Sequence, residues 1–434
     1  MAEYLPVALL LLLLAVGVPI AYALATAGAV GLAFVSDWNT ATNMLVVLPH
    51  RVVANYVLIS IPMFLFFGYL AESTGIIAGT FEAAKRWLGR MPGGLAIATT
   101  SASGAFAAAS GSSISSCVIF GSLAIPEMRK AGYSREFSMG LVASAGLLAS
   151  TIPPSLTMIL FGMLSETSII KLFTAGVIPG ILQMGVIIAT VMLLYVVRRQ
   201  HFPAGSDIGS TTTAEKFAAL RGVWPLLAVA IAILASIYTG IATVTESASA
   251  GVAIALLIAS FKGRVSWAVL REAAGKTCHT TAMILAILVG GLIFSTYIGM
   301  TDIATDLLAV FSQLPLNGTG VLLALIPVFL LLGCFLDGAS ILVLSVPLLL
   351  PIARHYNIDL LLLGIYLTFC IELGGLTPPV GINVFAVKGT VPDGTLEEAF
   401  RGMLPFFFLM LGLLVVLVCV PELVTWLPSQ GGTG

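Results

Sequence analysis

Stretches of about 20 residues with almost no charge recur along this chain, at 5–35, 53–71, 136–164, 173–197, 223–240, 244–261, 277–298, 360–388 and 403–425. Each is long enough to cross a bilayer as a helix. A soluble fold could not hide so many apolar runs: charged residues make up only 9% of the sequence, against about 25% in ordinary globular proteins. Mean hydropathy is +1.09, which leaves the bilayer as the solvent for most of the chain. With 19 Lys and Arg against 20 Asp and Glu, there is no basic stripe for nucleic acid. The run 5–35 reads as one long, tilted first span rather than a cleaved leader, since no Lys or Arg precedes it. The five cysteines form no CxxC pair, and four lie inside apolar runs, so they read as small buried hydrophobes.

Two further apolar regions, 93–127 and 316–352, carry polar centres: Ala109-Ser110-Gly111-Ser112-Ser113 and Leu336-Asp337-Gly338-Ala339-Ser340. A full span does not present such residues to lipid, whereas a re-entrant helical hairpin buries its tip at that depth under protein and water. Basic residues cluster at Lys85/Arg86/Arg90, Arg129/Lys130/Arg135, Arg198/Arg199/Arg221 and Lys262/Arg264/Arg271/Lys276, which places those loops in the cytoplasm. The first two clusters flank 93–127, so that hairpin enters from inside. The second region has little basic bias and reads as entering from outside.

The halves also match in order. Ile152-Pro153-Pro154-Ser155 corresponds to Thr377-Pro378-Pro379-Val380, Pro126 to Pro351, and Gly176-Val177-Ile178-Pro179 to Gly402-Met403-Leu404-Pro405. The spacing is always close to about 226 residues, the mark of an internal repeat. Expected fold: an all-α membrane protein of two inverted repeats, about 40–197 and 264–425, each with a re-entrant hairpin and a span broken at Pro-Pro. The expected divisions are N-terminal scaffold helices at 1–75, the first hairpin and broken helix at 76–164, scaffold helices and a cytoplasmic linker at 165–298, the second hairpin and broken helix at 299–392, and a C-terminal scaffold helix at 393–434. The polar stretch 199–222 is the linker. Segments 76–90 and 264–276 read either as surface braces or as ordinary cytoplasmic loops.

The Pro-Pro elements free backbone carbonyls, because proline removes a donor and clashes with the turn before it. Carbonyls and hydroxyls suit a small cation, and half-helix N-termini favour an anion beside it. A plain proline kink is the competing reading. Asp337 is the informative acid, since a lone carboxylate at membrane depth is costly unless paired or bound to a cation. It is assigned to a cation site with Thr377; capping the helix that starts at Gly338 is the other reading. The expected cation ligands are Ser110, Ser112, Asp337, Gly375 and Thr377. The substrate is expected against Ser150, Pro153, Pro154 and Asn383, although Asn383 could instead pack at a helix contact. Glu372 flanks the second break without an assigned role. No GxxxxGK[ST] or HExxH occurs, so the energy source is an ion gradient or a partner, and no enzyme chemistry is expected. An intramembrane enzyme pairing Ser112 with His279 finds no support in the repeat, and opposed hairpins suggest gates rather than a channel.

This ordered set resembles the large membrane subunit of the tripartite ATP-independent periplasmic (TRAP) transporters. Ser110-Gly111-Ser112-Ser113, Ile125-Pro126-Glu127-Met128, Gly132-Tyr133, Ile152-Pro153-Pro154-Ser155, Phe335-Leu336-Asp337 and Gly375 through Asn383 carry the resemblance. Ala149-Ser150-Thr151 departs from the glycine-rich stretch expected before the first Pro-Pro. The resemblance implies an elevator-type secondary transporter of a bacterial inner membrane, driven by sodium. It implies a small four-helix membrane subunit, expected as a separate polypeptide, and a periplasmic binding protein. The implied cargo is an organic acid such as a C4-dicarboxylate, sialic acid or another sugar acid. A related two-hairpin sodium–anion symporter working without a binding protein is the alternative.

Overall fold

The computed structural model describes residues 2–36, 38–203, 212–313 and 315–430. Among these, all regular structure is helical, as apolar segments in a bilayer require when every backbone group must be satisfied within its own segment. Seven helices are long and apolar enough to cross a membrane, or nine if each of two bent pairs counts as one span.

The chain begins with α1 (Leu5–Ala15) and α2 (Ile20–Val35). The single span expected over 5–35 is therefore two helices. Gly17 adopts φ +86 and Pro19 caps α2; hydropathy alone conceals this break, since the residues around it are as apolar as the helices. Next come α3 (Trp38–Val53), α4 (Ser60–Ser73) and α5 (Ile76–Leu88). The pair α6 (Gly94–Ser110) and α7 (Ser113–Lys130) meets at Gly111-Ser112, and α8 (Arg135–Gly146) runs through the one-turn α9 (Leu148–Thr151) to α10 (Leu156–Ser165). The axis bends by 41° at that Pro-Pro break. After α11 (Ile169–Val197) come α12 (Thr213–Leu220), α13 (Trp224–Tyr238) and α14 (Val244–Phe261). Positions 204–211 of the expected linker lie outside the described residues.

The remaining helices are α15 (Trp267–Gly299), α16 (Ile303–Ser312), α17 (Gly318–Phe335), α18 (Gly338–His355), α19 (Leu360–Gly374), α20 (Ile382–Thr390), α21 (Leu396–Cys419) and α22 (Glu422–Gln430). Segment 264–276 is not a separate brace. Most of it forms the first turns of α15, whose 33 residues span about 50 Å at 1.5 Å per residue, well beyond a hydrocarbon core of about 30 Å. Its charged residues, Arg271, Glu272 and Lys276, fall in the first turns, ahead of the apolar stretch, and the helix runs on unbroken. Helices α6, α7, α8, α10 and α11 start at 94, 113, 135, 156 and 169; α17, α18, α19, α20 and α21 start at 318, 338, 360, 382 and 396. The element order thus recurs at the spacing of the sequence repeat, about 225 residues.

Packing sorts the helices into two groups. Helices α1 to α4 pack with α13 to α15, and α6 to α11 pack with α17 to α22. Small residues set both groups: a Cβ on Gly290 of α15 would run into the Ala21 carbonyl of α2, and one on Gly402 of α21 into the Glu136 carbonyl of α8. The second group takes in α11 and α21. Their apolar stretches carry no sign of which neighbour they serve; close packing such as Gly140 on Gly402 and Gly180 on Ile152 decides it. The groups meet where α15 packs on α18 and where α4, α5 and α13 pack on α6. At the basic end, Lys85 of α5 pairs with Glu127 of α7 at 2.7 Å, and Arg135 joins Asp393 at 3.2 Å to Glu398 at 2.5 Å.

Candidate functional site

The breaks in the second group of helices converge. Ser112 ends the α6–α7 turn and caps α7, its hydroxyl accepting from the Ser115 N–H. Ser155 caps α10 in the same way, accepting from the Met158 N–H. Asp337 caps α18: one carboxylate oxygen accepts from the Ala339 and Ser340 N–H groups at 3.0 and 3.2 Å, and the other from the Ser340 hydroxyl at 2.5 Å. Gly381, in the left-handed conformation at φ +60, leads into α20. Small side chains let these tips approach. A Cβ on Gly111 would sit 3.0 Å from the Pro154 carbonyl oxygen, and one on Gly333 2.6 Å from the Cα of Gly374. Cys334 donates to the Pro378 carbonyl at 3.2 Å. Each tip therefore packs on the break of its own half.

Between these tips lies a cavity of about 160 Å³. First-turn residues of all four half-helices line it: Ser113 of α7, Thr157 of α10, Ala339 of α18 and Asn383 of α20. Leu65 of α4 and Thr280, Met283 and Ile284 of α15 close it from the other group of helices. Four N-termini thus bring the positive ends of their dipoles to one space. Helix C-termini reach the same space at Gly111, Leu336 and Gly375; the Gly375 carbonyl already accepts from the Asn383 N–H at 3.0 Å.

Of the residues expected from sequence, Ser112, Ser150, Asp337, Gly375 and Asn383 line this cavity. Ser110, Pro153, Pro154 and Thr377 lie outside its lining. The Ser110 hydroxyl is buried without a hydrogen-bond partner, whereas the Thr377 hydroxyl donates to the Leu373 carbonyl at 2.8 Å. Pro153 and Pro154 are buried beneath the break, while Pro378 and Pro379 are exposed. Sequence reasoning left Glu372 without a role, yet it is the second carboxylate of the cavity, only 5% exposed. It accepts from the Ser113 hydroxyl at 3.3 Å and the Asn383 amide at 3.4 Å, joining the first tip to the second broken helix. The available signal was a glutamate set among Phe369, Cys370, Ile371 and Leu373, costly at that depth without a task. Asn383 both faces the cavity and makes a helix contact, and its amide oxygen has no partner. The Thr151 hydroxyl beside the first break is likewise buried and unpartnered.

Residues 7–423 match the family model of the tripartite ATP-independent periplasmic transporter, DctM component, and the chain belongs to that family. It is 33% identical over 380 residues to the C4-dicarboxylate TRAP transporter large permease protein DctM of Pseudomonas aeruginosa, covering 87% of each chain. It is 28% identical over 431 residues to the sialic acid TRAP transporter permease protein SiaT of Haemophilus influenzae, covering 98% of this chain and 68% of SiaT. Among solved structures, the crystal structure of the Alcanivorax borkumensis YdaH transporter aligns with a TM-score of 0.62 over 88% of each chain at 15% identity; that likeness bears on the fold alone. The chain is a TRAP transporter large permease, a multi-pass protein of a bacterial inner membrane.

Proposed function

We propose that this permease imports an organic acid in symport with sodium, receiving it from a periplasmic binding protein and working with a small four-helix membrane subunit. The meeting of four half-helix N-termini and two carboxylates in one cavity between the two groups of helices carries this reading. The N-termini favour the substrate carboxylate. Hard oxygens suit sodium: Asp337, Ser112, the unpartnered hydroxyl of Ser110 and the second lone pair of the Gly375 carbonyl, whose first is taken by the Asn383 N–H, are assigned to it, with Thr377 supporting the second break through its bond to Leu373. Ser150 and Asn383 contact the substrate, and Pro153 and Pro154 hold open the break beneath it. Glu372 orients Ser113 and Asn383. The cavity, at about 160 Å³, is smaller than the roughly 300 Å³ at which sites for drug-sized ligands begin. That size favours a C4-dicarboxylate over a nine-carbon sugar acid.

In this reading α6–α7 and α17–α18 are re-entrant hairpins of two inverted repeats. The helices from 94–197 and 318–430 form one moving body, and α1 to α4 with α13 to α15 form the scaffold it slides along. Reconstitution in liposomes with the small subunit and binding protein tests the reading. Uptake of a labelled C4-dicarboxylate is expected only with all three proteins and an inward sodium gradient. Equal uptake with potassium replacing sodium removes the coupling; uptake of free acid by the permease alone favours a symporter that needs no binding protein.

A further inference from the structure

A second space, of about 540 Å³, opens at the basic end of the body between α8, α11 and α21, away from the central cavity. Leu194, Leu404 and Phe408 form its wall, and Glu136, Arg198 and Arg401 its rim. Arg198 directly follows the last residue of the α11 span, and Ser134, just before α8, meets the His201 ring nitrogen at 2.7 Å. All three rim residues thus sit at one level, the end at which Arg129, Lys130, Arg135 and Arg199 also gather, hence at the cytoplasmic leaflet. The close crossing of α8 on α21, where a Cβ on Gly402 would meet the Glu136 carbonyl, brings Glu136 and Arg401 out side by side. Phe408 is 63% and Leu404 40% exposed, so the trough faces lipid.

The rim charges do not satisfy one another. Neither Arg198 nor Glu136 makes a side-chain hydrogen bond or ion pair among the described residues, and Arg401 pairs only with Glu397, one turn earlier on its own helix, at 2.6 Å. Two guanidinium groups and a carboxylate stand around an apolar trough with room between them. Guanidinium groups bind phosphate through paired donors, and basic pockets between membrane helices on the cytoplasmic side take phospholipid headgroups. A carboxylate in the same rim works against a purely anionic headgroup and in favour of one that also carries an ammonium.

We propose that this trough binds one phospholipid of the cytoplasmic leaflet with a primary ammonium headgroup, of the phosphatidylethanolamine type. Its phosphate sits between Arg198 and Arg401, its ammonium donates to Glu136, and an acyl chain lies along Leu194, Leu404 and Phe408. A choline headgroup has no N–H to donate, and a glycerol headgroup has no cation. The bound lipid ties α11 to α21 at one end of the body.

Delipidated full-length protein in detergent tests this, with thermal unfolding and native mass spectrometry against phosphatidylethanolamine, phosphatidylcholine and phosphatidylglycerol of matched chains. Phosphatidylethanolamine is expected to be retained, and to raise the unfolding temperature, at about tenfold lower concentration than the other two. Glu136→Gln should abolish the preference over phosphatidylcholine, and Arg198→Ala should weaken all three lipids about tenfold. Equal binding of the three lipids by the wild type overturns the proposal, as does tighter phosphatidylglycerol, unchanged binding by Arg198→Ala, or a polypeptide or second copy of the chain retained in place of lipid. The wild-type comparison needs no variant, so it decides even where a variant fails to fold.

Discussion

Asp337 caps α18 and is proposed to hold sodium, and substitution separates the two. Its carboxylate accepts three hydrogen bonds at the start of α18, and losing such a cap costs about 1 kcal/mol. Asparagine preserves much of the cap but removes the charge that would hold a cation. Asp337→Asn is therefore expected to unfold within a degree or two of the wild type while needing about tenfold more sodium for half-maximal uptake. If sodium dependence stays unchanged while Asp337→Ala loses stability, Asp337 is a cap and nothing more. Glu372 is sharper still. Glu372→Gln keeps an acceptor for Ser113 or Asn383 but no negative charge, and uptake should fall by tenfold or more with little change in unfolding. Glu372→Ala should also cost roughly 1–3 kcal/mol, because buried donors lose their acceptor. At this scale sequence reasoning found Asp337 because it is the one acid of its hairpin. It did not assign Glu372, whose partners arrive from Ser113, far away in the chain, and from across the Pro-Pro break.

Helix positions were legible wherever a local signal punctuated the hydropathy. Ser112, Ser155, Asp337 and Asp359 each cap a helix that the expected segments contain. The boundary between α1 and α2 was missed because Gly17 and Pro19 lie within one apolar run, and the continuity of α15 was missed because its charged first turns look like a surface segment. Contacts between elements were least legible, since they rest on which glycine meets which backbone. Gly402 supplies a test. A Cβ there would run into the Glu136 carbonyl, so Gly402→Ala must push α21 off α8 and should destabilise the protein by about 1–3 kcal/mol. Gly412, in the same helix, has nothing within 4 Å, and Gly412→Ala should be neutral or stabilising by up to about 1 kcal/mol. Thermal unfolding in one detergent compares the two. Equal effects would mean that helix propensity, rather than the crossing, governs this contact.

Across the whole molecule, two groups of helices meet along α4, α5, α13 and α15 on one side and α6 and α18 on the other, with the polar cavity at the seam. Carrying a lone carboxylate or a lone sodium ion through the hydrocarbon costs far more than carrying them together, because each charge must otherwise shed its hydration unpaired. The proposed body, sliding only when both are bound, would couple sodium to substrate through that difference. The sequence repeat made the recurring element order foreseeable. The packing of α11 and α21 with the second group was not, since nothing in an apolar helix announces which neighbour it packs on. The proposed sliding can be tested at one place. A Cβ on Gly68 of α4 would stand 3.5 Å from the Cβ of Ser110 at the end of α6, within the range a disulfide requires. In a background lacking the native cysteines, Gly68→Cys with Ser110→Cys should therefore cross-link scaffold to body. Oxidation is expected to abolish uptake and reduction to restore the rate of the same reduced variant, which separates locking from any direct effect of losing the serine. Full cross-linking with no loss of rate would show that the two groups do not move past each other here, leaving movement of the tips alone to open the cavity.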